Sequence, residues 1–430
     1  MLALPSLNIY NYSMGFGVRK GMLYNLLGLG ISGIAIFLFN ILAGRLLGPE
    51  KYGVVAVFYS SLVTVQTLIG GGFRDVVVKY ISHHEEEKPR LEGILYSVLL
   101  ISLLFFVIFL LIFLILREVI TTKLFEGKNL YFLFFLFASF LIPLFWILNS
   151  FFEGIRKFNV SALNLVIFHS FFPLMFLVFY IAHFPQPAGT LLGISLAPIF
   201  PLFYLFFKLN KEGIHPFKVR KKEWLNAIFK ASIVLTLANF FDIFIFRSPP
   251  ILAKLTCKNS AQTAGFIGAF LSILSIVRTT SIALFSSLLP NLNRAIQGNN
   301  IPLAKRYIRN SYIFIGSLGL LVVIFFGLTG PWVLKLFYGT KYIMGQRVTI
   351  FFSLFLVFYL LARLSNRILV SMTSYRWLII SPAISIIVLV CSFTILNLPP
   401  VDKVGVSVAM ATFVYFLITF LKVFFTQKSL

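Results

Sequence analysis

NILAGRLLGPEKYGVVAV, residues 40–57, places a compact polar corner between two long apolar stretches. Arg45 falls at the C-terminal end of the first stretch, where a cation is favourable beside the last helical carbonyls. Gly48 can adopt the left-handed conformation that often follows a helix, and Pro49 suits the first turn of the next helix. The stretch therefore predicts a tight turn between two antiparallel helices. A direct role for Arg45 in binding a substrate is the alternative.

The composition on either side of this corner is that of a polytopic membrane protein. The chain has 430 residues, of which 59% are hydrophobic and 12% charged, and its mean hydropathy is +0.95. Soluble domains are about half apolar and about a quarter charged. A helix needs about 20 mainly apolar residues to cross a bilayer. Twelve such stretches are expected, at 22–43, 52–73, 94–116, 130–152, 160–182, 187–207, 228–251, 261–289, 310–334, 347–369, 376–397 and 403–424.

The excess of basic residues fits a membrane protein better than a nucleic-acid-binding protein. Lys and Arg number 37 against 13 Asp and Glu, and most of them lie between the apolar stretches. About twice as many fall on the side that holds both termini, and the positive-inside rule assigns that side to the cytoplasm. We therefore expect a multi-pass protein of the cell membrane with both termini cytoplasmic and no nucleic-acid partner.

The most basic connection, KLNKEGIHPFKVRKKEW at 208–224, divides the spans into two sets of six. Membrane carriers are often built from two such halves. Residues 1–13 precede a second candidate start at Met14, and we expect them to be dispensable. The expected organisation is a cytoplasmic segment 1–21, an N-lobe 22–207, a basic cytoplasmic linker 208–227, a C-lobe 228–424 and a cytoplasmic tail 425–430.

The two halves carry a faint internal repeat. AGRLLGPEKYGVVAV joins spans one and two, and LAKLTCKNSAQTAGFIGAF joins spans seven and eight. Each has a basic polar link followed by an aromatic residue beside a glycine, Tyr52-Gly53 in the first and Gly265-Phe266 in the second. The repeat agrees with a carrier made of two related lobes.

No cysteine or histidine pattern in the sequence indicates a disulfide or a metal centre. Cys257 and Cys391 lack the spacing of a disulfide framework or a zinc site, and we expect both to be inert. HHEEE at 83–87 resembles a metal-binding run but has no partner motif, so we interpret it as a solvated charged loop. His169 is a single histidine within a span, and packing is its expected role.

The opening corner also carries a family resemblance. RLLGPEKYGVVAV at 45–57, followed by LIGGGFRDVVVKYIS at 68–82, resembles the start of Wzx-type (O-antigen) polysaccharide flippases, a branch of the MOP/MATE exporter superfamily. LFSSLLPNLNRAIQGNN at 284–300 is similar to the proline-containing end of span eight in that family. The resemblance covers essentially the whole chain. It implies an all-α membrane fold with about twelve transmembrane helices in two six-helix lobes.

The resemblance implies a transporter and not an enzyme. The implied substrate is an oligosaccharide on a polyprenyl pyrophosphate, which would cross the cytoplasmic membrane by alternating access for surface polysaccharide biosynthesis. The expected partners are this lipid-linked oligosaccharide, membrane lipids and the glycan polymerase or glycosyltransferase machinery. We expect no cofactor, apart from H⁺ or Na⁺ as a coupling ion.

A carrier for such a substrate needs a water-filled cavity lined with cations for the phosphates. Charged residues inside spans are costly and usually functional, and they make Arg278, Arg363, Arg247 and Asp242 candidates, with Arg74 at the cytoplasmic mouth. Arg278 and Arg363 lie roughly 25 Å from the outer ends of their spans at ~1.5 Å per residue. Snorkelling to the cytoplasmic headgroups is therefore the alternative for both. Arg247 lies near the outer end of span seven, so an anchor at the membrane interface is its alternative role. Asp242 either pairs with a basic neighbour or acts as an ion or proton site.

Further residues could line this cavity or could simply join helices. Arg74 has an alternative role as an anchor at the cytoplasmic surface. The glycines at 70–72 that precede it would let backbones approach closely or let the helix bend. The polar candidates are Asn40, Gln66, Asn149 and Asn164, and the aromatic candidates for stacking on sugar rings are Tyr24, Tyr59 and Phe266.

Three other functions remain open on the sequence. A MATE-type cation-coupled drug exporter shares the expected fold but generally needs carboxylates within the membrane, and Asp242 is the one acidic residue deep in an expected span. A lipid II flippase often has more than twelve spans. A membrane glycosyltransferase or polymerase usually carries a large outside loop with catalytic acids or bases, whereas the outside connections here are short.

Overall fold

Among the residues that the structure describes, all the regular elements are helices, joined by turns and short connections. The structure, a computed structural model, describes residues 16–82, 84, 87–216, 224–257, 259–298, 300–372 and 376–429. Residues 1–13, most of the charged run at 83–87 and residues 217–223 of the basic linker lie outside this set. The expectations about those segments therefore stay predictions.

The first half of the chain forms spans one to six. Helix α1 covers two arms, one up to Leu47 and one from Pro49, and continues through a π-helical turn into α2. Helix α4 is a short helix between spans, whereas α7 and α8 together make one broken span. The elements are α1 (Phe16–Gln66), the π-turn (Thr67–Gly71), α2 (Gly72–Ser82), α3 (Lys88–Ile115), α4 (Arg117–Leu124), α5 (Asn129–Gly154), α6 (Phe158–Ile181), α7 (Ala188–Leu196) and α8 (Ile199–Lys211).

The second half forms spans seven to twelve, each from one helix. These are α9 (Leu225–Thr256), α10 (Ser260–Gln297), α11 (Ile301–Tyr338), α12 (Gln346–Ser371), α13 (Trp377–Ile395) and α14 (Pro400–Ser429). Helix α11 begins before the expected span at 310 because its start is well capped. The Asn300 side chain accepts a 3.2 Å hydrogen bond from the backbone N–H of Leu303, and Pro302 occupies the first turn.

Gly48 folds α1 back on itself. Its backbone has φ 75° and ψ 170°, which glycine adopts readily because it has no Cβ. The Tyr52 hydroxyl then donates a 2.8 Å hydrogen bond to Oδ1 of Asn40 in the other arm. A straight helix would hold these two residues about 18 Å apart. Eleven runs among the described residues are long and apolar enough to cross a membrane, and the first, Leu26–Ser82, is two spans joined at this corner.

The twelve spans form two six-helix lobes, α1–α8 and α9–α14, as the sequence predicts. The lobes meet along α1, α2, α9 and α10. We call the end of the molecule that holds Gly48 the hairpin end, and the end that holds Ser82 and Trp224 the linker end. At the linker end, Trp224 packs against Tyr80 with ring centres 5.8 Å apart, which joins the start of the C-lobe to α2.

Candidate functional site

Backbone from the two lobes is in direct contact at the hairpin end. A Cβ atom added to Gly53 would lie 1.7 Å from the carbonyl oxygen of Ala261, and one added to Gly265 would lie 1.9 Å from that of Pro49. Glycine permits this approach because it has no side chain. The two glycines of the internal repeat therefore face each other across the lobe interface.

Tyrosines complete the closure at this end. The ring centres of Tyr52 and Tyr338 are 5.9 Å apart, and those of Tyr338 and Tyr342 are 5.2 Å apart. The Tyr342 hydroxyl donates a 3.0 Å hydrogen bond to the carbonyl of Gly44. Burial raises the pKa of the Tyr342 phenol, so this group remains a protonated donor. These contacts form the hairpin-end seal, which consists of Tyr52, Gly53, Gly265, Tyr338 and Tyr342.

Arg45 lies beside this seal and contacts the other lobe. Its Nε donates a 2.6 Å hydrogen bond to the carbonyl of Phe337, and its Nη2 bonds the carbonyl of Leu336. Both carbonyls are in the last turn of α11, where helical partners are missing. Arg45 thus caps a helix of the C-lobe instead of its own helix, and its side chain does not line the cavity that lies between the two lobes.

A cavity of about 430 Å³ lies between the lobes on the linker side of the seal. Both arms of α1 line it together with α9 and α10, and its walls carry the guanidinium groups of Arg247 and Arg278. No Asp or Glu belongs to the described lining. We call this space the central cavity; its other polar residues include Asn40, Tyr59, Ser60, Ser272, Ser275 and Thr279.

Aromatic rings hold the two arginines of the central cavity. Cζ of Arg278 lies 4.4 Å from the ring centre of Phe246 and 5.9 Å from that of Tyr359. Cζ of Arg247 lies 5.2 Å from the ring centre of Tyr59 and 5.6 Å from that of Phe246. Ring faces attract cations but accept few hydrogen bonds, and Nε of each arginine is buried without a partner among the described residues. Neither guanidinium group therefore has a hydrogen-bond acceptor among the residues that the structure describes.

Asp242 pairs with Arg363 and not with Arg247. Oδ2 of Asp242 accepts a 2.7 Å hydrogen bond from Nη1 of Arg363 and a 2.9 Å bond from the Tyr359 hydroxyl. Oδ1 accepts a 3.3 Å bond from the Tyr415 hydroxyl. Asp242 is 2% exposed, so these partners provide the hydrogen bonds that a buried carboxylate requires. Of the two roles open for Asp242, the geometry favours pairing with a basic neighbour.

A second cavity, of about 220 Å³, lies nearer the linker end and has walls from both lobes. The N-lobe contributes Arg74, whose Nη2 lies 3.1 Å from Oε1 of Glu153 and whose Cζ lies 5.3 Å from the Trp146 ring centre. The C-lobe contributes Arg363 and Arg367. We call this space the linker-end pocket; its lining also includes Gln66, Asp75, Trp146 and Asn239.

The structure thus distributes the sequence candidates over three places. Arg247 and Arg278 share the central cavity, Arg74 and Arg363 share the linker-end pocket, and Arg45 lies beside the seal. Of the further candidates, Asn40 and Tyr59 line the central cavity, and Gln66 lines the linker-end pocket. Phe266 packs on Tyr342 of the seal, and Tyr24 is exposed. Asn149 and Asn164 hydrogen-bond each other inside the N-lobe.

Sequence reasoning missed four residues of the linker-end pocket on which its chemistry depends, namely Arg367, Trp146, Asn239 and Asp75. Arg367 lies two residues from the end of the expected span 347–369, but its four-residue spacing from Arg363 places both on one face of α12. Trp146 carried no distinguishing signal. Asn239 donates a 3.1 Å hydrogen bond to the carbonyl of Gly71, which the π-turn leaves available. The run of glycines at 70–72 was the only local sign of that irregular turn.

Comparison with known protein families identifies the family to which the sequence is matched. The pattern of a family described as polysaccharide biosynthesis protein matches residues 18–296. No curated protein matches the sequence.

Solved structures with the same fold are multidrug and related transporters. An inward-facing multidrug resistance MATE family transporter of the MOP superfamily superposes with a TM-score of 0.77 at 14% identity, covering 94% of this chain and 99% of that one. An outward-facing structure of such a transporter gives 0.64 at 14% identity, covering 96% and 97%. A MOP superfamily transporter from Pyrococcus furiosus gives 0.65 at 14% identity, covering 96% of each chain.

Proposed function

This chain belongs to the family of polysaccharide biosynthesis proteins, and from that premise we propose that it moves an oligosaccharide on a polyprenyl pyrophosphate across the cytoplasmic membrane. Its fold is that of MOP superfamily membrane transporters. The proposal adds the substrate and a mechanism of alternating access, in which the two lobes open in turn towards the two sides of the membrane.

The observation that carries the proposal is the charge of the central cavity. Arg247 and Arg278 are its described charged residues, and neither faces a carboxylate there. Two uncompensated guanidinium groups within the membrane are costly, so they require water or an anion. Arginine is well suited to phosphate because its planar fork makes two parallel hydrogen bonds. A pyrophosphate supplies the missing charge and the missing acceptors together.

The size of the central cavity supports a binding mode in which only part of the substrate lies inside it. A volume of about 430 Å³ is that of a pocket for a small ligand, so it accommodates the phosphates and the nearest sugar. The remaining sugars extend towards the linker end. Exposed apolar residues of α1 and α10, such as Ile34 and Ile276, border the cavity, and the polyprenyl chain remains among the lipids beside them.

The positive-inside rule supports an orientation for this cycle. With both termini in the cytoplasm, the linker end is the cytoplasmic side and the hairpin-end seal is the outer side. The conformation described above then accepts substrate from the cytoplasm. A cation-coupled drug exporter fits less well, because the one deep carboxylate, Asp242, is occupied by Arg363 and two tyrosine hydroxyls.

Substitution of Arg278 tests the proposal. We expect Arg278→Ala to lower transport at least about tenfold, because a hydrogen bond to a charged group contributes about 1.5–3 kcal/mol. Arg278→Lys should keep part of the activity, since the charge remains while the fork is lost. The measurement is complementation of a flippase-deficient strain that makes a matching glycan, with the protein quantified in the same membranes.

The matched control is Arg347→Ala, which removes an exposed arginine at the hairpin-end start of α12. We expect this variant to transport normally. Full activity of Arg278→Ala at a normal protein level would refute a phosphate ligand in the central cavity. Equal losses in both arginine variants would show that the assay responds to overall charge and not to the cavity.

A further inference from the structure

We propose that the linker-end pocket is a second binding site for a phosphate-type anion. In the empty site Arg363 is paired with Asp242, and the anion replaces Asp242 as the partner of Arg363. The inference rests on the proposed function for the identity of the natural ligand, but the site is argued from its own geometry. With this second site the carrier has two binding sites, and the substrate binds near the linker end before it reaches the central cavity.

The pocket brings together three arginines from two lobes. Arg74 comes from α2, whereas Arg363 and Arg367 lie one turn apart on α12. The guanidinium of Arg367 has no hydrogen bond or ion pair with any residue that the structure describes, and the residue is exposed to the pocket. Three guanidinium groups around about 220 Å³ can surround a phosphate on several sides.

The pocket differs from the central cavity in how its charge is balanced. Each of two arginines is held from behind by an acid, Arg74 by Glu153 and Arg363 by Asp242. Asp75 lies in the lining and brings a third negative charge. Three positive charges therefore meet three negative ones, so the empty pocket is neutral. The central cavity has two positive charges and no described acid, which favours onward movement of an anion from the pocket to the cavity.

Arg363 is placed to change partners. Its guanidinium bonds Asp242 at 2.7 Å and at the same time belongs to the pocket lining, with 17% of its side chain exposed. When a phosphate takes Arg363, the Asp242 carboxylate keeps the hydroxyls of Tyr359 and Tyr415 as hydrogen-bond donors. Those two bonds lower the cost of leaving the carboxylate without its arginine. When the phosphate leaves the pocket, the ion pair between Asp242 and Arg363 forms again, so binding at this site is reversible.

A continuous set of contacts links the two sites. Tyr359 donates to Asp242 through its hydroxyl, and its ring lies 5.9 Å from Cζ of Arg278 in the central cavity. The partner exchange at Arg363 therefore acts on a ring that also supports Arg278. This arrangement gives a physical route by which occupation of the outer site can adjust the inner one.

Trp146 provides a direct readout of the pocket. It is one of 4 tryptophans in the chain, and its ring lies 5.3 Å from Cζ of Arg74. An anion that binds Arg74 should change Trp146 fluorescence in the purified protein in lipid nanodiscs. The probes are farnesyl pyrophosphate, inorganic pyrophosphate and phosphatidylglycerol, which separate a lipid-linked pyrophosphate, a free phosphate and an anionic headgroup. Trp146→Phe should remove the response and so assign it to this site.

Two substitutions then test the exchange. We expect Arg367→Gln to weaken farnesyl pyrophosphate binding about tenfold, since it removes one charged donor. Asp242→Asn should tighten binding at least about threefold, because the competitor for Arg363 is gone. The same variant should slow transport, because Asp242 no longer recovers Arg363 from the phosphate. Arg347→Gln is the matched control and should leave the titration unchanged.

The outcomes separate this inference from the proposed function. Unchanged affinity in Arg367→Gln would overturn the second site, because the side chain is exposed and its loss does not disturb the fold. Weaker or equal binding in correctly folded Asp242→Asn would overturn the exchange. If farnesyl pyrophosphate binds as expected while Arg278→Ala transports normally, the second site stands and the central-cavity proposal fails. A response to phosphatidylglycerol alone would assign the pocket to a membrane lipid and overturn the substrate site.

Discussion

At the scale of single residues, the arginines of this chain divide by what faces their guanidinium groups. Arg45 faces helical carbonyls, Arg363 faces a carboxylate, and Arg278 faces aromatic rings. Carbonyls and carboxylates satisfy the donors of an arginine, whereas rings leave most of them free. Of these three residues, Arg278 is therefore the one whose guanidinium is most open to a new anion.

Arg45 provides a test of this division. We expect Arg45→Ala to reduce transport by no more than about fivefold and to destabilise the protein by about 1 kcal/mol, because it removes exposed hydrogen bonds at the end of α11. Arg45→Lys should recover part of both, since an ammonium also donates to carbonyls. Transport and thermal unfolding in detergent are the measurements. Complete loss of transport with unchanged stability would make Arg45 a substrate ligand.

Candidate residues of the site were predictable from the sequence, but their partners were not. A charge inside an apolar stretch is visible in any span count, which is how Arg278 and Asp242 were found. Asp242 and Arg363 are 121 positions apart, so their pairing depends on how α9 packs beside α12. Asp242 and Arg247 are five residues apart on α9, a spacing that does not align two side chains on one face, and they have separate partners.

At the scale of elements, the hairpin-end seal depends on helices that approach to backbone contact. The second arm of α1 meets the start of α10 through Gly53 and Gly265, and a Cβ atom on either would overlap the opposite carbonyl. The sequence repeat indicated that the two segments are related. It did not indicate that they touch, because similarity between segments carries no information on their distance.

Gly53→Ala should shift the carrier away from the conformation described here. A methyl group 1.7 Å from the Ala261 oxygen forces the helices apart, so the hairpin end should open. We expect a cysteine at Ser275, in the central cavity, to react with a membrane-impermeant maleimide from the hairpin side in this variant only. The background has Cys257 and Cys391 replaced by Ser.

The matched control for this experiment is Gly316→Ala in α11. Nothing lies within 4 Å of a Cβ atom added at Gly316, and alanine is a better helix former than glycine. We expect the control to label like the parent protein and to be at least as stable. Equal labelling of the Gly53 and Gly316 variants would contradict the role of backbone contact in the seal.

At the scale of the whole molecule, the length of the apolar stretches, the turn chemistry at Gly48 and the basic connection at 208–224 were enough to predict twelve spans in two lobes. The bilayer sets the length of each helix, and the corner at Gly48 is specified by a few residues. The irregular pieces were less predictable. The π-turn at Thr67–Gly71 and the break between α7 and α8 at Pro198 lie inside apolar stretches, where a count of spans by hydropathy does not detect them.

Orientation in the membrane is the prediction that belongs to this scale. We expect a cysteine at Lys211, at the linker end, to be labelled only from the cytoplasm, because basic residues concentrate on that side. A cysteine at Lys341, at the hairpin end, should be labelled only from outside; both positions are exposed. Intact cells and inverted vesicles give the two readouts. Labelling of Lys211→Cys in sealed intact cells would reverse the topology.

Membrane voltage should fall mainly across the hairpin-end seal. The seal is a layer of packed tyrosines and glycines, whereas the two cavities on its linker side, of about 430 and 220 Å³, are large enough to hold water. In the proposed cycle, a phosphate that moves from Arg363 to Arg247 would cross little of the electric field. The field, at about 2.3 kcal/mol per charge for 100 mV, acts when the seal opens and the bound charge passes to the other side. The membrane potential would thus control the swing of the lobes and leave substrate loading almost unaffected.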